Sequence, residues 1–176
     1  FIELKKKLKD GTFTIDFCDD SLHTNGNLSI CGGTYTLSTG DDGMHADGAD
    51  QVYGGEITIK TCYEGIKGQN MEISGGTIDI TASDDGNGAL DYNGTATIPG
   101  GTLVAAGMSG MEQNFGSDST QGTLMMNLTD NQSGKITLED ANGNTLVSYT
   151  PMREYNSVVI SCAELSDGST YTIHTG

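Results

Sequence analysis

The sequence predicts an all-β protein: a right-handed parallel β-helix with three strands per rung, followed by a C-terminal antiparallel β cap. We use "rung" for one full turn of the solenoid. Three observations lead to this prediction: a Gly-Gly-Thr-like motif that recurs five times, apolar residues that alternate after each copy, and 26 glycines among 176 residues. We expect the solenoid to occupy residues 1–118 and the cap to occupy residues 119–176.

The recurring motif marks the start of each rung. Its second residue is taken as the marker, and the markers are separated by 22, 22, 21 and 25 residues: Gly11, Gly33, Gly55, Gly76 and Gly101. Repeats of this length that hold about three short strands are typical of a parallel β-helix. Neighbouring strands lie about 4.8 Å apart. Residues at the same distance from each marker should therefore stack in columns.

Apolar side chains occupy fixed positions after each marker. Two and four residues later they alternate with polar residues, a period of two that places them on one inward face, as in Ile57 and Ile59. Eleven residues after the marker a second inward column is expected, with a polar exception in the fourth rung: Leu22, Met44, Ile66 and Asn87. Thirteen residues after it stand smaller side chains: Thr24, Ala46, Gly68 and Ala89.

From about residue 119 the repeat gives way to strands of ordinary length. Five apolar stretches alternate with polar turns: residues 124–128, 136–138, 145–149, 157–161 and 171–173. The Asn142-Gly143 pair between two of them is a strong hairpin signal. We interpret this region as antiparallel strands that cover the end of the solenoid, because an uncovered end would leave open strand edges.

Pairs of acidic residues follow the markers at a fixed distance. Eight and nine residues after the first four markers stand Asp19-Asp20, Asp41-Asp42, Tyr63-Glu64 and Asp84-Asp85. Aspartate favours turns, but carboxylates stacked about 4.8 Å apart also repel one another. A calcium ion takes about six to eight oxygen ligands and would relieve this repulsion. We therefore predict that these acids bind calcium, with Asp47 and Asp91 as further candidate ligands.

A catalytic pair of carboxylates is the alternative to calcium. Glycosidases use a pair of carboxylates, but a catalytic pair is needed once per site, whereas these acids recur from rung to rung.

A set of basic residues also recurs: twelve residues after the marker stand His23, His45 and Lys67. These side chains either lie on a solvated face beside the acids or bind substrate. In the second case, Lys67 binds a sugar carboxylate or acts as a general base.

The charge of the chain excludes some partners. The formal net charge is −16, from 24 acidic and 8 basic residues. Such a chain is repelled by nucleic acid and by an anionic membrane surface, and no stretch is long enough to span a bilayer. We expect neither nucleic-acid binding nor direct membrane insertion. The acidic charge favours cations and fits an extracellular or cell-surface, calcium-rich location. The chain opens abruptly at Phe1 without a signal, so we expect a fragment or mature portion of a longer protein.

Several stretches resemble a known family: residues 40–48 (GDDGMHADG), residues 74–86 (SGGTIDITASDDG), and the ending at 155–161 and 171–176. From about residue 10 to its end, the chain is similar to secreted bacterial carbohydrate-binding proteins of cellulose-degrading and gut anaerobes. The resemblance implies a pectate-lyase-like β-helix, calcium held by the Asp-Asp turns, and binding of plant cell-wall polysaccharide, especially polygalacturonate. It assigns the metal to Asp41, Asp42, Asp84, Asp85, Asp19 and Asp20. The chain departs from the family pattern at Tyr63-Glu64 and at Asn87.

Three functions follow as hypotheses. The first is non-catalytic, calcium-dependent binding of an acidic cell-wall polysaccharide, with His45, Tyr63 and Lys67 as candidate sugar-binding residues. The second is a calcium-dependent polysaccharide lyase with Lys67 as its base. Few basic residues are available for that chemistry, because Arg153 is the sole arginine and Lys60 and Lys67 are the only lysines of the central rungs. The third is a surface adhesin in which calcium only stiffens the solenoid.

Overall fold

The computed structural model describes residues 8–83 and 85–176, except for the side chains of residues 17 and 18. These residues form strands and no helix: β1 (Thr12–Cys18), β2 (Leu22–Thr24), β3 (Leu28–Thr39), β4 (Met44–Thr61), β5 (Ile66–Thr81), β6 (Leu90–Tyr92), β7 (Ala96–Gly107), β8 (Thr123–Gln132), β9 (Ile136–Asp140), β10 (Thr145–Tyr149), β11 (Tyr155–Ser161) and β12 (Tyr171–Thr175). The described residues contain no helix that is long and apolar enough to cross a membrane.

Five strands stack side by side in parallel, in the order β1, β3, β4, β5 and β7. Their register aligns the residue that follows each marker: Thr12, Thr34, Glu56, Thr77 and Thr102. The short strands β2 and β6 pair in parallel with β4 and β5. The structure confirms the predicted parallel β-helix and the stacking of the markers.

The strands are longer than the sequence predicts, because they continue around the corners of the solenoid. β4 runs for 18 residues, and its register with β5 shifts at the marker, between Tyr53 and Glu56. The marker glycines at these corners have left-handed backbones, with φ of 107° at Gly55 and 88° at Gly76. A Cβ on Gly75 would lie 2.6 Å from the carbonyl oxygen of Tyr53. These corners need glycine, because the backbone is left-handed at the second glycine and neighbouring rungs approach too closely for a Cβ at the first.

Large apolar side chains fill the interior in columns. One column is at most 1 % exposed and contains Tyr35, Ile57, Ile78 and Leu103. At the first rung the ring of Phe13 stacks on that of Tyr35, with centroids 4.9 Å apart. At the other end Phe115 and Val159 belong to the same buried cluster. Stacking of like side chains at one-rung spacing gives the close packing on which the solenoid depends.

The fourth rung departs from the predicted alignment. Ile66 pairs with Leu90, not with Asn87, and Gly68 pairs with Tyr92, not with Ala89. Leu90 lies 14 residues after its marker (90 minus 76), whereas Ile66 lies 11 after its own (66 minus 55). Three additional residues are therefore inserted between β5 and β6. The predicted column positions of Asn87 and Ala89 are wrong because that prediction assumed a constant turn length.

The C-terminal region is antiparallel, as predicted. β11 pairs with β7 on one side and with β8 on the other, so it covers the strand edge that the last rung would otherwise expose. β9, β10 and β12 form a separate sheet, and β9 joins β10 through the predicted Asn142-Gly143 turn. A second buried cluster combines residues of β7 with residues of the C-terminal strands: Val104, Ala106, Ile136, Leu138, Val147, Tyr155, Val158, Ile160 and Cys162. The last rung and the C-terminal region therefore share a core.

Candidate functional site

The first turn after each marker carries the acidic residues. Backbone hydrogen bonds stack these turns, because the N–H of Ser21 donates to the carbonyl of Asp42 at 3.0 Å and that of Gly43 donates to Glu64 at 2.9 Å. Asp20, Asp42 and Glu64 therefore follow one another along the solenoid, and all three are buried. We call these three residues the acid column.

A second, more exposed column lies in the same turns. The N–H of Asp41 donates to the carbonyl of Asp19 at 3.2 Å, and that of Tyr63 donates to Asp41 at 2.8 Å. Asp19 and Tyr63 are exposed, and Asp41 is half-buried. Asp41 thus lies between a surface carboxylate and a surface tyrosine.

In the fourth rung, Asp85 stacks on neither of these columns. The N–H of Gly65 donates to the carbonyl of Ala89 at 3.0 Å, so the backbone that stacks there is that of Ala89. Asp85 is exposed, and its carboxylate accepts a hydrogen bond from the hydroxyl of Ser83. The prediction that Asp85 stacks on the acid pairs is wrong, because three inserted residues shift the register. Asp84 lies outside the described residues.

Three basic side chains form a column beside the acids, at the predicted positions. The register of β2, β4 and β5 aligns His23 with His45 and His45 with Lys67. The next residue in this alignment is Asp91. The rings of His23 and His45 lie with their centroids 4.7 Å apart. We call His23, His45 and Lys67 the basic column.

The two columns form an alternating series of ion pairs. Asp20 Oδ2 lies 2.5 Å from Nδ1 of His23 and 3.2 Å from Nδ1 of His45. Asp42 Oδ2 lies 3.5 Å from Nδ1 of His45 and 3.2 Å from Nζ of Lys67. Each carboxylate is therefore shared between a basic residue of its own rung and one of the next rung.

Lys67 is held by two carboxylates. Its Nζ lies 2.7 Å from Glu64 Oε2, in addition to the contact with Asp42. Partial burial lowers the pKa of Lys67, but the contacts with Glu64 and Asp42 outweigh burial, and the pKa is raised above its ordinary value. The ammonium group therefore stays protonated at neutral pH. A general base needs a free lone pair, so this geometry opposes the lyase role considered for Lys67.

Burial and pairing act in opposite directions on the acids. Burial raises the pKa of Asp42 to about 6, although the charge of Lys67 opposes the rise. Burial also raises the pKa of Asp20, but hydrogen bonds, first that from His23, outweigh it, and the net shift is downward. The hydrogen bond to Asp20 raises the pKa of His23. Asp20 is thus the ionised centre of the first two rungs.

These ion pairs weaken the case for calcium along the whole acid column. The sequence predicts that cations sit among the stacked acids to relieve their repulsion, but the basic column already supplies positive charge there. The Glu64 carboxylate contacts Lys67 at 2.7 Å, and Glu64 belongs to neither group of described residues whose ligand atoms lie within 4.8 Å of one another. Asp47 is 58 % exposed, with Oδ1 3.8 Å from Nε2 of His45, and so lies beside an imidazole and not among the carboxylates.

One group of carboxylates could hold a metal ion. Asp20, Asp41 and Asp42 each offer an oxygen atom within 4.8 Å of the others. Two oxygens that share one calcium at about 2.3–2.6 Å lie no more than about 5 Å apart. Asp42 Oδ1 is buried and has no hydrogen-bond partner in the described part of the chain. The spacing and this unpaired oxygen fit one ion, not a row of ions.

A buried acid on β4 was not predicted from the sequence. Asp50 is 0 % exposed, and both of its carboxylate oxygens are buried without a hydrogen bond of ordinary geometry in the described part of the chain. Burial raises its pKa well above the ordinary value; the backbone N–H of Ala46 acts in the opposite direction, and the charge of Asp42 adds a smaller rise. The register places Asp50 between Leu28 and Met71. Its position in an otherwise apolar column was the signal that could have revealed it.

In comparisons with known proteins, no family model, no curated protein and no solved structure matches the chain.

Proposed function

We propose that this protein binds an acidic plant cell-wall polysaccharide of the polygalacturonate type without catalysis, and that binding depends on calcium held by Asp20, Asp41 and Asp42. The observation that supports this most directly is the buried Asp42 Oδ1, which has no hydrogen-bond partner in the described structure. A cation, a proton or a hydrogen-bond donor such as a bound water would satisfy such an oxygen, and a cation would also offset its charge. Two further carboxylates lie close enough to complete part of a calcium shell.

Calcium also supplies the charge that the proposed ligand requires. A chain with a net charge of −16 repels a polyuronate. An ion that binds oxygen from the protein and from a uronate carboxylate removes that repulsion locally. Asp41 is only half-buried and Asp19 is exposed, so an ion at Asp41 would be reachable by a surface ligand.

Surface residues beside this turn suit a sugar chain. Tyr63 is 38 % exposed and follows Asp41 along the solenoid, and an aromatic face packs against the apolar face of a sugar ring. Lys67 and His45 are partly exposed on the neighbouring column. Their N–H groups are donors for the sugar hydroxyls and carboxylates. We therefore assign sugar contacts to Tyr63, Lys67 and His45.

Binding without catalysis agrees best with the basic residues. Lys67 is a protonated ion-pair partner of Glu64 and Asp42. Arg153, the other basic residue considered for a lyase, has Nη1 3.5 Å from the carbonyl oxygen of Cys62. Neither is a free base above the acidic turn. A protein with this role would act outside the cell or on its surface, where calcium and cell-wall polysaccharide meet.

The proposal is tested by titrating the chain with polygalacturonate in a calorimeter, with calcium and with excess chelator. We expect binding only with calcium, at least tenfold weaker in Asp41→Asn and unchanged in Asp130→Asn, an exposed aspartate of β8. Equal binding in chelator would refute the bridging role. Calcium binding without any polysaccharide binding would leave only a stiffening role, and release of unsaturated product would identify a lyase.

A further inference from the structure

Asp20, His23 and His45 form a compact group of mixed ligands on the first two rungs. One ligand atom from each lies within 4.8 Å of the others. Asp20 Oδ2 contacts Nδ1 of both imidazoles, at 2.5 Å and 3.2 Å. The two histidine side chains are 20 % and 23 % exposed, so the group is accessible from solvent.

We propose that these three residues bind a divalent first-row transition ion such as zinc. Two imidazole nitrogens and one carboxylate oxygen are ligands that zinc, cobalt and nickel favour. Calcium and magnesium take oxygen ligands instead. The site therefore differs in chemistry from the calcium site of the proposed function, and it does not depend on polysaccharide binding.

The second nitrogen of His23 supports the assignment. His23 Nε2 lies 3.2 Å from Asn25 Oδ1, and His45 Nε2 lies 3.8 Å from Asp47 Oδ1. A histidine that binds a metal through one nitrogen usually donates its other N–H to a carbonyl or carboxylate oxygen, which fixes the tautomer and the ring orientation. Both rings thus direct Nδ1 towards Asp20, and the Nε2 of His23 has such an acceptor; the Nε2 of His45 lies near Asp47 at 3.8 Å, beyond hydrogen-bond length.

The distances suit a small ion. Ligand atoms bound to a tetrahedral zinc lie about 3.4 Å from one another. The separation of Asp20 Oδ2 and His45 Nδ1, 3.2 Å, already has this length. The His23 contact of 2.5 Å has to lengthen by about 1 Å. Asp42 Oδ2, 3.5 Å from Nδ1 of His45, is the nearest candidate for a fourth ligand.

The site would join neighbouring rungs and compete with calcium. Asp20 and His23 belong to the first rung and His45 to the second, so a bound ion would connect them. Asp20 also belongs to the calcium group with Asp41 and Asp42. One carboxylate shared by two sites predicts that zinc and calcium weaken each other's binding.

The test uses the metal-stripped 176-residue chain, titrated with Co²⁺ and Zn²⁺ at pH 7.5. Cobalt is followed by visible absorption, which reports tetrahedral nitrogen and oxygen ligation. His23→Gln and His45→Gln are compared with His174→Gln, whose imidazole contacts Glu139 at 3.2 Å. Cys31→Ser controls for ligation by a free, half-buried thiol. Circular dichroism verifies that each variant keeps its β structure.

We expect one tetrahedral Co²⁺ per chain and zinc binding at least tenfold weaker in His23→Gln and His45→Gln. The His174→Gln and Cys31→Ser variants should bind zinc as the parent does. Unchanged zinc affinity in both folded histidine variants would overturn the inference. Asp41→Asn separates the two proposals, because it should weaken calcium binding and leave zinc binding intact.

Discussion

The Nζ atom of Lys67 lies 3.2 Å from Oδ2 of Asp42, the buried carboxylate of the preceding rung. This contact, with that to Glu64 at 2.7 Å, joins the second and third rungs through opposite charges. It also gives the acid column a cation that belongs to the chain. The contact explains why a stack of acids in this solenoid does not require an ion at every step.

Replacing Lys67 with methionine should therefore destabilise the fold. Asp42 and Glu64 would lose their shared counter-charge while remaining buried. We expect the free energy of unfolding to fall by about 1–2 kcal/mol, less than for a fully buried pair because water reaches the ammonium group. Urea denaturation measures the change. The exposed Lys60 provides the matched control, and an equal loss in Lys60→Met would show that the ion pairs contribute nothing specific.

The turn glycines should tolerate alanine only where space allows. A Cβ on Gly43 would lie 2.6 Å from the carbonyl oxygen of Gly65 and 2.8 Å from Cδ1 of Ile59. We expect Gly43→Ala to destabilise by about 1–3 kcal/mol through overpacking. A Cβ on Gly40 would have no described atom within 4 Å, apart from those of its chain neighbours. Gly40→Ala should therefore change stability little. Thermal unfolding compares the two, and similar melting temperatures would contradict the stacked-turn geometry.

Asp50 should make stability fall as pH rises. Its pKa in the folded state is raised well above 3.8 by burial, so the folded state retains a proton that the unfolded chain releases. This contribution to stability is complete below the pKa of Asp50 in the unfolded chain. It is lost as the pH rises towards the pKa of Asp50 in the folded protein. Asp50→Asn removes the titration.

We therefore expect Asp50→Asn to exceed the parent in urea midpoint at pH 8.5 and to approach it at pH 4.5. Asp130→Asn, at an exposed position, should show no such pH-dependent difference. A raised pKa at Asp50 would be disproved if the parent and Asp50→Asn differed by the same amount at both pH values.

The sequence predicted the solenoid well, because its regular spacing reflects a regular backbone. The marker glycines fix the corners, and the apolar period of two identifies the inward columns. The fourth rung could not be aligned by counting from Gly76, because an insertion between β5 and β6 changes the number of residues without changing the stacking. Leu90, not Asn87, then takes the inward position.

The site was only partly predictable for a related reason. The positions of the acid and basic columns follow from the repeat. The sharing of Asp20 between His23 and His45 depends on side-chain direction within the turn, which spacing does not specify. The burial of Asp50 depends on the interior position of its strand. Pairing and burial, more than position, decide which acids are available to bind an ion.

The corrected register makes a prediction about Asp85. It lies in the inserted segment, and its carboxylate binds the Ser83 hydroxyl. Asp85→Asn should therefore leave calcium affinity within twofold of the parent value. Isothermal titration with calcium measures this. A tenfold loss would return Asp85 to the set of metal ligands.

The central claim is that one calcium ion binds at Asp20, Asp41 and Asp42. Its most direct test is the calcium stoichiometry of the metal-stripped chain by equilibrium dialysis, for the parent and for Asp41→Asn and Asp42→Asn. We predict one ion per chain in the parent and affinity at least tenfold lower in both variants. Absence of binding in the parent, or undiminished binding in both variants, would contradict the claim.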